Sequence, residues 1–243
     1  MPYFINKLKQ RIAYKTVKGR GLGIIFIHGL NSDMNGKKAL TVEKYARKHK
    51  INFVRFDCRG HGNSDGKFED FTISDWKKDL VNVIDNLTRG PQILIGSSMG
   101  GWLMMLAARV RPTRIKGMIG LAAAPDFGDN LYNNLTIKNK REIKNKGIIK
   151  YSSFGFSYFI RKKFFIDAKK NKVLDKPYRY NKPLILIHGL KDNVVSSKVS
   201  KKILKKVTSK KIQIIFLKNS NHQLSSKQDL QTIKFAINSV RYL

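Results

Sequence analysis

The segment Gln92-Ile-Leu-Ile-Gly-Ser-Ser-Met-Gly100 contains the most informative pattern in this chain. Residues 92–95 form an apolar segment typical of a buried strand, and the residues after Gly100 favour a helix. Between them, Gly96 and Gly100 flank Ser98 in the pattern G-x-S-x-G, which describes a sharp turn with the serine side chain exposed at its apex. This context makes Ser98 a candidate nucleophile; the alternative is a Gly/Ser turn without chemical function.

Apolar strand-like segments alternate with helical patterns on both sides of this stretch. The predicted strands cover residues 11–17, 23–27, 51–56, 92–95, 115–123, 184–187 and 212–217. Two capping boxes, Thr72 with Asp75 and Ser225 with Gln228, predict the starts of two helices. The alternation predicts an α/β fold, a mostly parallel central sheet flanked by helices. With G-x-S-x-G placed between a strand and a helix, this architecture is typical of the α/β-hydrolase fold.

Residues 126–182 interrupt the alternation, because they are rich in Asn and Lys and carry scattered aromatic side chains. These aromatic residues are Tyr132, Tyr151, Phe154, Phe156, Tyr158, Phe159, Phe164 and Phe165. We expect a single α/β-hydrolase domain over residues 1–243, with 126–182 inserted as a small cap between two strands of the sheet. The cap aromatics form either an apolar acyl pocket or simply the core of the cap, and the sequence does not choose between them.

A serine nucleophile of this kind needs a histidine base and a carboxylate that orients the base. In this fold they follow in the chain order serine, acid, histidine. Four of the five histidines come too early in the chain: His28, His49, His61 and His188. His222, in a polar loop before the last helix, is therefore the predicted base.

Two aspartates are credible as the orienting acid, because each follows a predicted strand. Asp192 comes after the strand at 184–187 and a turn, so it leaves the carboxyl edge of the sheet, where active sites of open α/β sheets lie. Asp126 follows the preceding strand and Pro125. We prefer Asp192 and keep Asp126 as its rival.

The oxyanion of an acyl-transfer intermediate requires two backbone N–H donors. One is predicted at Met99, directly after the serine, and the other at Leu30, in the loop after the strand at 23–27. His28 is expected to shape that loop. The single cysteine, Cys58, and the missing phosphate-loop pattern predict neither a metal site nor a cofactor.

The chain carries 49 Lys and Arg against 16 Asp and Glu, a formal charge of +33. Because the basic residues are spread along the chain without interleaved aromatics, we interpret the charge as composition and expect no specific nucleic-acid partner. Weak contact with an anionic membrane surface is left open. The sequence shows no membrane-spanning run and no secretory signal, which favours a cytoplasmic protein; it predicts no oligomeric state.

Five stretches resemble one branch of the α/β-hydrolase superfamily, which comprises mitochondrial palmitoyl-protein thioesterases, also described as acyl-glucuronide esterases, and bacterial relatives. The stretches are Gly23-Ile-Ile-Phe-Ile-His-Gly29, Met34-Asn-Gly-Lys-Lys-Ala-Leu40, Arg55-Phe-Asp57, Gly90-Pro-Gln-Ile-Leu-Ile-Gly-Ser-Ser-Met-Gly-Gly-Trp-Leu-Met104 and Leu186-Ile-His-Gly-Leu-Lys-Asp192. The resemblance implies hydrolysis of acyl thioesters or esters, with the family's triad on Ser98, Asp192 and His222.

We therefore predict a serine hydrolase, a carboxylesterase or acyl thioesterase, that acts through an acyl-Ser98 intermediate. Its substrate would be a small-molecule or acylated-protein ester or thioester. Two alternatives are a non-catalytic binding protein on the same fold, and a serine peptidase or C–C bond hydrolase.

Overall fold

The computed structural model describes residues 1–153 and 156–242. The strands are β1 (Tyr3–Ile5), β2 (Arg11–Val17), β3 (Arg20–Ile27), β4 (Ile51–Phe56), β5 (Gln92–Ser97), β6 (Ile115–Leu121), β7 (Ile148–Ser153), β8 (Phe156–Arg161), β9 (Leu184–Gly189) and β10 (Ile212–Leu217). The helices are α1 (Lys37–Lys48), α2 (Ile73–Leu87), α3 (Met99–Val110), α4 (Phe127–Asn133), α5 (Ile137–Lys146), α6 (Lys162–Lys170), α7 (Lys198–Lys206) and α8 (Lys227–Tyr242).

The main sheet has the strand order β1-β2-β4-β3-β5-β6-β9-β10. From β4 to β10 every neighbouring pair is parallel, whereas β1 and β2 pair antiparallel at one edge. The predicted mostly parallel sheet is confirmed, and every predicted strand is present. Strand β1 was not predicted, because three residues are too few for a periodic pattern to show.

Helices cover both faces of this sheet, and the inner strands are therefore apolar on both sides. In β3, Ile25 and Ile27 belong to the core cluster that contains side chains of α2 and α3. Their neighbours Ile24 and Phe26 belong to the opposite cluster, with side chains of α1 and α8. The unbroken apolar runs of the sequence are thus a consequence of burial on two faces.

The two predicted helix starts have different outcomes. Thr72 and Asp75 form the predicted capping box of α2, with Thr72 N–H donating to Asp75 Oδ2 at 3.0 Å. At α8 the prediction was wrong by one residue, because Ser226 and Asp229 form the box. Asp229 is buried and also accepts a hydrogen bond from the Ser220 hydroxyl, a loop contact that the local pattern does not reveal.

Residues 126–182, the cap segment, connect β6 to β9 and contain α4, α5, α6 and a separate hairpin of β7 and β8. Hydrogen bonds join the cap segment to two helices that pack on the main sheet, α2 and α3. Asp167 accepts hydrogen bonds from Ser74 N–H and Oγ–H at the start of α2, at 2.8 and 2.7 Å. Trp102 on α3 donates its indole N–H to the Asn171 carbonyl at 3.0 Å.

None of the helices in the described chain has the length and apolar character needed to span a membrane.

Candidate active site

Ser98 lies at the turn between β5 and α3, with φ +52° and ψ −115°. A positive φ is uncommon for a residue with a side chain and signals local strain. The turn is possible because neither flanking glycine carries a Cβ atom. A Cβ on Gly96 would lie 2.3 Å from the Gly100 carbonyl oxygen, and one on Gly100 would lie 2.3 Å from the Ile27 carbonyl oxygen. The sharp turn predicted from G-x-S-x-G is present.

The Ser98 backbone is fixed by the end of the neighbouring strand β6. Its N–H donates to the Leu121 carbonyl at 2.9 Å, and its carbonyl accepts from Ala124 N–H at 3.0 Å. The side chain is half-buried. Its hydroxyl makes no hydrogen bond to any residue that the structure describes, His222 included, so the bonded serine–histidine pair is not formed here.

The structure does bring Asp192 and His222 together. They follow β9 and β10, adjacent parallel strands that end in register with Gly189 opposite Leu217. His222 Nδ1 lies 2.8 Å from Asp192 Oδ2, and the Asp192 side chain is fully buried. Because Nδ1 donates to the carboxylate, the neutral His222 ring keeps Nε2 unprotonated and available as an acceptor.

A second histidine, His188, contacts the same carboxylate and was not predicted. Its Nε2 lies 3.2 Å from Asp192 Oδ2 and 2.8 Å from the Val195 carbonyl oxygen, while Nδ1 lies 2.8 Å from Ser200 Oγ. The side chain is completely buried. The sequence signal that could have revealed this contact is the position of His188, four residues before Asp192 in a stretch that carries the family resemblance.

The surroundings of Asp192 keep it ionised. Burial favours the neutral acid, but hydrogen bonds from His188, His222 and Val195 N–H outweigh it and lower the pKa of Asp192 well below its usual range. Its other oxygen, Oδ1, accepts from Val194 and Val195 N–H at 2.9 and 2.8 Å. The carboxylate is thus both charged and fixed in orientation.

The rival acid, Asp126, is engaged elsewhere. Its two carboxylate oxygens accept the N–H groups of Val173 and Leu174, each at 2.8 Å, and so hold the start of the cap segment to its later part. Burial raises the pKa of Asp126. No contact joins it to His222 among the described residues, and Asp192 is therefore favoured as the orienting acid.

Leu30 and Met99, the predicted oxyanion donors, lie on the two segments that meet at Ser98. The loop after β3 passes close by, since a Cβ on Gly29 would lie 3.3 Å from Ser98 Cβ. Met99 is the first residue of α3, where backbone N–H groups have no partner within the helix. Neither the Leu30 nor the Met99 N–H donates to another residue in the described ranges.

His28 shapes the loop that carries Leu30, as expected. Its Nδ1 lies 2.7 Å from the Gly29 carbonyl oxygen, and its Nε2 accepts from Cys58 N–H at 3.0 Å. Burial lowers the pKa of His28, so the ring is neutral with its proton on Nδ1. This bridge joins the loops after β3 and β4.

The loop that carries His222 is held by two further groups that sequence patterns did not reveal. Asp229 of α8 accepts from the Ser220 hydroxyl and from Ser226 N–H. Lys38 of α1 donates its ammonium group to the Gln223 carbonyl, next to His222. Burial lowers the pKa of Lys38 to about 8.

The cap aromatics lie partly in the core and partly along a small cavity. Phe164 and Phe165 are buried in the core, and Tyr158 packs against it. Tyr158, Phe159 and Phe164 also line a cavity of about 10 Å³ together with Leu30. Of the other cap aromatics, Phe154 and the side chain of Phe156 lie outside the described part of the chain.

A parallel sheet whose carboxyl edge carries a serine turn, a buried aspartate and a histidine defines the class of α/β hydrolases. The chain belongs to the α/β-hydrolase family whose model is described as serine aminopeptidase, S33, and which matches residues 22–148.

Individual relatives are similar over nearly the whole chain. The mitochondrial palmitoyl-protein thioesterase ABHD10 of Bos taurus is 40% identical over 233 residues, covering 94% of this chain and 76% of that protein. The Homo sapiens protein of the same name is 39% identical over the same shares. The solved structure of mouse ABHD10 has a TM-score of 0.91 at 34% identity, covering 98% of this chain and 97% of that one. The predicted resemblance to this branch is confirmed.

A more distant structure agrees in fold. Est1E from Butyrivibrio proteoclasticus, solved with ferulic acid bound, has a TM-score of 0.84 at 21% identity and covers all of this chain and 98% of its own. At this identity the likeness concerns the fold alone.

Proposed function

We propose that the protein is a serine hydrolase that cleaves carboxylic esters or thioesters through an acyl-Ser98 intermediate, with His222 as general base and Asp192 as the orienting acid. The observation that carries the proposal is the 2.8 Å contact between His222 Nδ1 and buried Asp192 Oδ2, at the sheet edge that also presents Ser98. The similarity to named thioesterases supports the substrate class.

In the first half of the reaction, Ser98 Oγ attacks the acyl carbonyl carbon while His222 Nε2 takes the hydroxyl proton. The protonated imidazole is stabilised by the charged Asp192, and it returns the proton to the departing alcohol or thiol. In the second half, water attacks the acyl-Ser98 carbonyl, with His222 again accepting and then delivering the proton. The Ser98 hydroxyl must come within hydrogen-bonding distance of His222 for the first step; such bonds often tighten only when substrate is bound.

The negative oxygen formed in each half is stabilised by the N–H groups of Leu30 and Met99. The N-terminus of α3 adds the positive end of the helix dipole at the same place. Each donor of this kind contributes about 10²–10³-fold in rate.

The acyl group enters between Leu30 and the cap aromatics. The cavity there, about 10 Å³, is large enough for about one water molecule, so acyl binding requires side chains such as Phe159 to move aside. Relatives named as palmitoyl-protein thioesterases make a long acyl chain the first substrate to test. The predicted cytoplasmic location is not supported, because the similar thioesterases are named as mitochondrial proteins.

The test is labelling by a fluorophosphonate probe, followed by turnover of p-nitrophenyl esters and acyl thioesters of increasing chain length. Ser98→Ala is expected to abolish labelling and to lower kcat by about 10⁴–10⁶-fold. Ser97→Ala is the matched control, since it removes the neighbouring hydroxyl from the same turn, and it should still be labelled. Undiminished turnover by Ser98→Ala would eliminate the proposal.

The family description favours a second candidate, an aminopeptidase. Aminoacyl p-nitroanilides should be tested beside the esters with the same enzyme. Ester or thioester turnover well above amide turnover supports our proposal, and the reverse order supports the peptidase.

A further inference from the structure

An open cavity of about 450 Å³ lies in the cap segment between α4, α5 and α6. It is distinct from the small cavity beside Leu30. Its lining is half cationic and half apolar: Lys140, Arg141, Lys144, Lys162 and Lys169 with Tyr132, Ile137, Ile143, Phe165 and Ile166.

The positive charge of this cavity is uncompensated. No carboxylate lines it, and none of its five cations forms an ion pair within the described chain. Lys140 donates only to the Asn133 carbonyl, at 2.8 Å, and Lys169 lies 5.9 Å from the Tyr132 ring centroid. On the same helix α5, by contrast, Lys146 is paired with Glu142 at 3.2 Å. Five like charges around one cavity attract an anionic partner.

The apolar half of the lining is partly turned to solvent. Ile143 and Phe165 are buried, but Ile137 is 73% exposed and Ile166 is 48% exposed. A small soluble anion held by the cations would leave Ile137 in water. A lipid bilayer surface would cover both isoleucines while its phosphates met the cations, which is the arrangement of proteins that lie in the membrane interface.

We propose that this face of the cap segment docks on an anionic phospholipid bilayer, with lipid phosphates between the five cations and with Ile137 and Ile166 inserted at the boundary of headgroups and acyl chains. Docking does not depend on Ser98 chemistry. Its position has a consequence for substrate access, because Tyr132 of this cavity is adjacent to Leu131, which lines the small cavity beside Leu30. A docked protein would hold its acyl entrance near the membrane surface.

The first test measures co-sedimentation of the full chain with phosphatidylcholine vesicles, with and without phosphatidylserine, at about 0.15 M ionic strength. Replacing Arg141 and Lys144 by Glu is expected to weaken partitioning to phosphatidylserine vesicles at least about 10-fold. The matched control replaces Lys202 and Lys205 of α7 by Glu: the pair is also exposed and three residues apart, and the change in net charge is the same. The control should bind nearly as well as the wild type.

The second test separates insertion from simple charge attraction. Replacing Ile137 and Ile166 by Asn should weaken vesicle binding and leave retention on heparin unchanged. All variants should remain folded at the assay temperature and hydrolyse a short-chain p-nitrophenyl ester at the wild-type rate, which shows that the site is intact.

Three results would overturn docking. Equal losses of vesicle binding for the α5 and α7 variants would indicate an effect of net charge alone, and unchanged vesicle binding in the isoleucine variant would exclude insertion. The third result is absent vesicle binding together with heparin retention that depends on Arg141 and Lys144. The last result would assign the cavity to a soluble polyanion.

Discussion

At the scale of single residues, Asp192 and Asp126 show how environment separates two identical side chains. Both follow parallel strands and leave the same edge of the sheet. Asp192 accepts from His222 and His188, whereas Asp126 uses both oxygens to hold backbone N–H groups of the cap segment. Asp192 is placed to orient the proposed base, whereas Asp126 holds two parts of the cap segment together.

Replacing each aspartate by asparagine should therefore have opposite consequences. Asp192→Asn is expected to lower kcat for ester hydrolysis by about 10⁴-fold, because the amide favours the wrong His222 tautomer. Asp126→Asn should retain most of kcat and lower the free energy of unfolding by about 1.5–3 kcal/mol, the contribution of a hydrogen bond to a charged group. Steady-state kinetics and urea denaturation measure both effects. A larger kcat loss for Asp126→Asn would reverse the assignment.

The lowered pKa of Asp192 also predicts how stability depends on pH. Its pKa lies below the value of about 3.9 for an unfolded aspartate, so its contribution is complete above that pH and is lost as the pH falls toward the folded value. Asp192→Asn lacks this titration. The fall in free energy of unfolding below about pH 4, measured by urea denaturation, should be shallower in the variant than in the wild type. Identical acid slopes would contradict this account of Asp192.

At the scale of elements, the turn from β5 to α3 depends on close backbone approaches. Gly96→Ala would place a methyl group 2.3 Å from the Gly100 carbonyl oxygen, so the turn must shift. We expect a loss of stability of about 1–3 kcal/mol and loss of fluorophosphonate labelling. Gly36→Ala is the control, since no atom lies within 4 Å of its Cβ position and its φ is −60°. A fully labelled Gly96→Ala variant would show that the turn tolerates bulk.

The loop between β10 and α8 shows the same dependence on neighbours. His222 is placed by its Asp192 contact, while Ser220 and Gln223 on either side are held by Asp229 and Lys38. Two helices from one face of the sheet therefore position the proposed base. Neither contribution is visible in the loop sequence itself.

At the scale of the whole molecule, the chain has 49 cationic side chains and 16 carboxylate side chains. Most cations thus have no carboxylate to pair with, and the folded state carries net self-repulsion. Salt screens this repulsion, since the Debye length falls from about 30 Å at 0.01 M to about 8 Å at physiological ionic strength. The melting temperature should therefore rise with sodium chloride over this range. The Lys202→Glu, Lys205→Glu variant should show a smaller rise, and a melting temperature that falls with salt would contradict the account.

Features that depend on neighbours along the chain could be predicted from local patterns. Local periodicity and steric limits predict strand β5, the need for glycine at Gly96 and Gly100, and the capping box of Thr72 and Asp75. The alternation of strands and helices then determined a parallel sheet. The chain order of Ser98, Asp192 and His222 led to their proposal as a triad.

Features in which distant segments compete for the same partner depend on the completed fold. The register of β9 and β10 brought His222 to Asp192, and the path of the cap segment engaged Asp126. Packing against the Ser220 loop moved the last capping box by one residue, and the fold of the cap gathered unpaired cations around one cavity. Local patterns cannot specify these contacts, because their energies depend on which loops the completed sheet places side by side.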